Sequence, residues 1–288
     1  MIISVSRRCD IPRFSFGWFL EKLDAGFVDV KNPFNSRQTK KVSLLPPAPG
    51  RPPEECAEVF AFWTRDPAAI LAGANGLEKR GYGFFVMTTL TSYPALLEPN
   101  MPPAGELIKT IRALAELITP QRVVWRYDPV FLSSLTDYGF HRENFSALAK
   151  QLAGAVHKVI LSVYDEYSGS EKRLSKLEQA GCLKRFPHYA SGAPKEKTLL
   201  PELRGLIGDL AGIARMEGME VQCCAEAAMG GACIDGGYIE RVFGVRDPGK
   251  DRGQSRPGCL CARSVDIGAY EPCPAGCVYC YARPASGP

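Results

Sequence analysis

Val59-Phe-Ala-Phe-Trp-Thr64, the segment Ala68 to Lys79, and Phe84-Phe-Val-Met-Thr88 together decide the fold. Two short runs rich in aromatic and β-branched residues flank a stretch of helical periodicity, the pattern of a strand–helix–strand unit. The same alternation extends outward along the chain. Further strands are predicted at residues 2–6, 123–127, 159–163 and 220–223, and further helices at residues 16–23, 105–118, 144–156 and 199–216. Strand–helix repetition of this kind implies an α/β fold with a parallel sheet and helices outside it, either open or closing into a barrel.

The chain has 288 residues, 45% of them hydrophobic and 23% charged, ordinary values for a globular protein with room for one large domain. Apolar runs are short and interrupted, so no membrane-spanning helix and no membrane partner are expected. Charge follows the apolar stretch at the N-terminus instead of preceding it, so a cytoplasmic location is expected rather than secretion. A net charge of +4 is too small to argue for a nucleic-acid partner. Neither the proline-rich residues 46–53 nor the charged residues 247–257 require a domain boundary. The expectation is a single domain over residues 1–288, with a body at 1–222 and a cysteine-rich segment at 223–288.

That segment carries the chemistry. Eleven cysteines, an odd number gathered toward the C-terminus, favour metal ligation over a disulfide framework. Cys273-Pro-Ala-Gly-Cys277-Val-Tyr279-Cys280 presents three close thiols. A zinc site and an ordinary ferredoxin site each want four ligands. Three thiolates can hold three irons of a [4Fe–4S] cube and leave the fourth open. A second group, Cys224, Cys233, Cys259 and Cys261, could hold an auxiliary [4Fe–4S] cluster or zinc, or stay as buried thiols. The Cys-x-Cys pair puts two sulfurs on one side of an extended segment, whereas Cys223 would point the other way on its strand. Cys56 and Cys182 read as packing residues. The histidines His141, His157 and His188 form no ligand spacing. Polar residues follow five of the strands: Arg7, Arg8 and Asp10; Thr64, Arg65 and Asp66; Thr88 and Thr89; Arg126 and Asp128; Tyr164 and Asp165. The carboxyl ends of parallel strands form the binding rim of such folds.

The terminal motif resembles the C-x3-C-x-aromatic-C pattern of radical S-adenosylmethionine (SAM) enzymes. Thr88-Thr-Leu-Thr-Ser-Tyr-Pro-Ala-Leu-Leu-Glu98-Pro99 resembles a segment of the spore photoproduct lyase-like branch, and Phe62-Trp-Thr64-Arg65 stands where that branch has a strand ending in Thr-Lys. Ser6-Arg-Arg-Cys-Asp-Ile-Pro, Asn32-Pro-Phe-Asn35, Arg126-Tyr-Asp-Pro and Ser264-Val-Asp-Ile-Gly are similar to phrases of a bacterial family of unknown function with a C-terminal radical SAM-like cysteine cluster. The resemblance implies a (β/α) partial TIM-type barrel, circularly permuted so that the cluster-binding strand and loop are C-terminal. A strand at residues 264–269 would then be first in space. It implies a radical SAM enzyme in which Cys273, Cys277 and Cys280 hold the [4Fe–4S] cluster. Tyr279 would lie near the cluster or adenine, Thr64, Arg65, Thr88 and Arg126 would contact SAM, and Asp10 falls in a short Asp/Pro motif of the branch. Cys9, at a strand end, would donate hydrogen to a product radical. A flavodoxin or ferredoxin would supply electrons, and the substrate would be a small molecule, a peptide or a nucleic acid. The competing expectation is a zinc- or Fe–S-stapled binding or electron-transfer protein without SAM chemistry.

Overall fold

A computed structural model describes residues 1–32, 35–190, 198–224, 230–249 and 258–283. β1 (Ile2–Val5) leads into α1 (Ile11–Phe14), α2 (Phe16–Ala25) and an antiparallel hairpin of β2 (Phe27–Asn32) and β3 (Asn35–Ser43). Strand–helix units follow: β4 (Val59–Thr64) with α3 (Ala68–Lys79), β5 (Gly83–Thr89) with α4 (Ala104–Ile118), and β6 (Val123–Val130) with α5 (Tyr138–Leu152). β7 (Lys158–Val163) precedes α6 (Ser168–Gln179) and α7 (Pro201–Met216), and β8 (Glu220–Cys223) precedes α8 (Gly236–Phe243). β9 (Val265–Asp266) comes last.

Seven of these strands form one parallel sheet in the order β8-β7-β6-β5-β4-β1-β9. Each step from β1 through β8 moves one place in the same direction. Helices α2, α3, α4, α5 and α7 bury their apolar stripes in one core with Ile3, Val5, Phe60, Phe62, Phe84, Val86, Trp125 and Leu161. These strand residues alternate with Ile2, Val59, Ala61, Trp63, Phe85, Met87, Val124 and Ile160, which pack on the other face against α8 and the cysteine-bearing stretches around it. We call the two sides the crossover face and the tail face. All six residues of β4 are buried, as its unbroken apolar run requires.

The sheet is open. β8 and β9 are its edges, four and two residues long. Closure of a TIM barrel needs eight tilted strands in staggered register, and strands this short offer no ladder to each other. The cysteine-rich segment is joined to the body through the sheet itself, because β9 pairs with β1 through Ile3 and Val265 and through Ser4 and Asp266. The β2–β3 hairpin, α6 and α8 lie outside the predicted elements. The hairpin is largely solvent-facing and rich in lysine, and it touches the core through Val28 and Val42. Among the described residues, no helix is long and apolar enough to cross a membrane.

Candidate active site

Asp266 is the hinge of the site. Its buried carboxylate accepts hydrogen bonds from Ser4 Oγ (2.7 Å), Ser6 Oγ (2.6 Å), the Arg7 amide (2.7 Å) and the Gly268 amide (3.0 Å), with the Arg7 and Arg8 guanidinium groups at 3.7 and 4.0 Å. A β-carbon at Gly268 would stand 2.0 Å from Ser6 Oγ and 2.9 Å from Cys9 Sγ, so only glycine lets the strand exit lie this close. Cys9 sits in that contact, half-buried, its thiol pKa raised by burial. The chain then turns over the carboxyl end of the sheet and delivers the three terminal cysteines there.

This cysteine loop straddles the strand ends. Cys277 and Tyr279 are buried in the crossover-side core, and Cys273 and Cys280 are half-buried against it. Gly276 holds φ of +70°, and its amide closes a turn on the Cys273 carbonyl at 3.2 Å. Three contacts pin the loop: Asn100 Nδ2 donates to the Pro274 carbonyl (2.8 Å), the Val278 amide donates to the Leu97 carbonyl (3.0 Å), and Arg173 Nε donates to the Val278 carbonyl (2.9 Å). Arg173 also donates to the Cys280 carbonyl.

Below Cys277 lies a buried charge network. Arg65 donates from Nη1 to Glu98 Oε1 (2.8 Å) and from Nη2 to the Tyr279 hydroxyl (2.6 Å); Tyr279 and Thr91 donate to the same Glu98 oxygen. Burial pushes the Cys277 thiol up to about 11, with Arg65 pulling in the opposite direction. Asp10 accepts from the Arg65 amide (2.8 Å) and caps α1 through the Arg13 amide (3.1 Å), and burial raises its pKa. Thr64 folds back on Asp66, with 2.9 and 3.0 Å bonds. Asp10, Thr64, Arg65, Tyr279 and Cys277 therefore meet at one corner. Beside it, a cleft of about 210 Å3 runs from Arg65 and Glu98 along Thr91 and Tyr93 to Leu107 of α4.

Arg126 does not join that corner, whereas Thr88 stands in register beside Thr64 and its buried hydroxyl has no hydrogen-bond partner among the described residues. Thr88 is buried in register with Thr64 and Trp125, and alternation places it toward the crossover face. Arg126 points to the tail face, where it bonds Asp128 (2.6 Å) and stacks over Trp63 at 4.4 Å. Trp63 Nε1 and Arg126 Nε are both buried and have no hydrogen-bond partner among the described residues. Tyr281 reaches the same side from the cysteine loop, its hydroxyl donating to the Arg7 carbonyl at 2.6 Å.

The second cysteine group also gathers on the tail face. Cys233 shares side-chain hydrogen bonds with Cys224 and Cys261, and Cys261 with Cys259. The Cys261 sulfur also accepts the Ile234 amide at 3.5 Å. These contacts lower the Cys261 pKa, the Cys233 bond most. Cys223 packs on the crossover face instead. Among the described residues, no group of three or more His, Cys, Asp or Glu side chains is already arranged to hold a metal ion.

Residues 2–282 match the family described as a domain of unknown function, DUF1848. The chain belongs to the DUF1848 family. No curated protein and no solved structure matches it.

Several residues of this DUF1848 chain that build the corner escape a reading of local pattern. Glu98, 4% exposed, sits in the Leu-Glu-Pro turn quoted above for its resemblance, but nothing in the sequence points to its pairing with Arg65 and Tyr279. Asp266 and Trp63 look like ordinary strand residues until the sheet puts them beside Arg7 and Arg126. Cys182, expected in the core, is exposed, and Cys56 is buried.

Proposed function

We propose that this protein is a radical SAM enzyme built on a permuted, opened (β/α) barrel. The observation that carries the reading is the position of the cysteine loop. Its strand β9 lies beside β1 at the head of a singly wound sheet, so a motif at the C-terminus of the chain stands at the first strand end in space. The order of the strands along the sheet is then that of a barrel whose first strand has moved to the end of the chain.

The donor set suits the cofactor. Cys273, Cys277 and Cys280 are three thiols within electrostatic reach of one another, with the Arg65 guanidinium near Cys277 to favour its thiolate. A [4Fe–4S] cube carries iron at four alternating corners, so its ligands need not converge on one point as those of a single ion must. A [4Fe–4S] cluster held by Cys273, Cys277 and Cys280 would supply the one-electron reduction of SAM on which hydrogen abstraction from substrate depends.

The chain's own residues divide the remaining work. Arg65 is committed to Glu98 and Tyr279, so its part is to hold Cys277 and the loop rather than to bind SAM. Asp10 fixes the Arg65 backbone. On the tail face, Trp63 Nε1 and Arg126 Nε are two buried donors aimed where an acceptor atom of SAM or substrate would sit, since an unmet buried donor costs about 1–3 kcal/mol. An electron donor of flavodoxin or ferredoxin type would approach the half-exposed Cys273 and Cys280.

The test is anaerobic reconstitution with iron and sulfide, reduction with dithionite, and assay for 5′-deoxyadenosine from SAM. Product that disappears in Cys277→Ala is the expected result. No product from protein whose terminal cysteines carry iron and sulfide would sink the proposal.

A further inference from the structure

Glu98 is only half used by the network around Cys277. Its Oε1 takes the donors of Arg65, Tyr279 and Thr91, while Oε2 meets no donor among the described residues. The side chain is almost fully buried, and it lines the cleft of about 210 Å3 between the end of β5 and α4. An unmet buried acceptor is costly, and the cleft is the space from which a donor can reach it. The start of α4 stands in the same cleft, which Pro103, Ala104 and Leu107 help to line. Its N-cap, Pro103, offers no side-chain bond, and the Ala104 and Gly105 amides meet no acceptor among the described residues. The space beside Gly105 is open. We infer that this cleft binds a free α-amino acid with an apolar side chain, its ammonium group on Glu98 Oε2 and its carboxylate on the first amides of α4.

Charge decides between ligand classes. Arg65 and Glu98 already cancel as an ion pair at 2.8 Å, so an amine or an acid alone would carry an uncompensated charge into a half-enclosed space. A zwitterion adds no net charge, and each end meets the partner it needs. The ammonium group finds a carboxylate oxygen, and the carboxylate finds orphan amides at the positive end of a helix dipole. Leu90, Tyr93, Met101 and Leu107 offer the ligand an apolar wall. The Tyr93 hydroxyl makes no demand on it, being bonded to the Pro129 carbonyl (2.7 Å) and the Phe131 amide (3.1 Å). Ser92, also in the lining, holds φ of +51°, a left-handed conformation that a serine keeps only where its surroundings fix it. The volume suits an amino acid better than a nucleotide, whose pockets run to several hundred Å3. Leu90, Tyr93 and Leu107 belong to the crossover-face core, so the cleft is separate from the Trp63 and Arg126 donors of the tail face.

The inference does not rest on SAM chemistry, and binding is measured on the full chain without a cluster, so a negative 5′-deoxyadenosine assay leaves it standing. Isothermal titration with L-leucine should show saturable binding. The compounds 3-methylbutylamine and 4-methylpentanoate each keep one end of that zwitterion, and each should bind at least about tenfold more weakly. Ala104→Pro removes one orphan amide at the first helical position, where proline is accepted. It should melt as the parent chain does and bind L-leucine about tenfold less tightly. If that variant does not fold, the comparison of the three compounds on the parent chain still decides. Absence of L-leucine binding at millimolar concentration, equal binding of the amine or the acid alone, or unchanged affinity in folded Ala104→Pro would each overturn the assignment.

Discussion

Glu98 shows how one side chain organises the corner. It is the shared acceptor for Arg65, Tyr279 and Thr91, and together with the Leu97 carbonyl it ties the cysteine loop to the strand ends. Glu98→Gln leaves the Arg65 charge buried without its carboxylate, a loss of about 3 kcal/mol in unfolding free energy. It also removes the negative charge that raises the Cys277 pKa, so in metal-free protein the alkylation midpoint of Cys277 should move below about 11, where burial holds it in the parent chain. Arg65→Met should move it the other way. Mass-resolved alkylation across pH checks both signs, and an unchanged midpoint in both variants would mean that the network does not reach the thiol.

At the scale of elements, His141 couples α5 to β6. It is fully buried, with Nδ1 bonded to the Tyr127 hydroxyl (2.9 Å) and Nε2 to the Phe131 carbonyl (3.1 Å), an arrangement that wants the neutral ring with its proton on Nε2. Burial lowers its pKa to about 4. The folded state therefore binds fewer protons here than the unfolded state between about pH 6.5 and 4, and stability is lost as pH falls through that window. The contribution from pH 7 to pH 5 is about 2 kcal/mol. Urea unfolding of His141→Gln should show a shallower fall over this range than the parent chain. Equal slopes would place the acid sensitivity elsewhere.

For the molecule as a whole, the decisive feature is a singly wound sheet whose second face is covered by its own C-terminal segment. A chain ending at residue 224 would bare Ile2, Val59, Phe85, Met87 and Ile160 together, a patch of the kind that drives association. It should be recovered aggregated, whereas a monomeric product with a cooperative melt would show that the tail is dispensable to the fold. The alternation of strands and helices was readable in advance because it rests on local periodicity: β4 and α3 fall on their predicted residues, and β8 likewise. The spacing of Cys273, Cys277 and Cys280 is local too. The hairpin of β2 and β3 was not readable, since β3 is polar except for Val42 and gives the short apolar start of β2 no patterned partner. Nor could periodicity show that the Ser6 hydroxyl bonds Asp266 across 260 residues, or that Cys224, Cys233, Cys259 and Cys261 meet on the tail face while Arg126 turns away from Arg65. By itself the sequence determined which segments are strands and helices and which thiols share a loop, because those depend on neighbours a few residues apart. Which thiols, charges and strand ends stand together was decided by tertiary structure, through the order of strands in the sheet and the face each side chain takes.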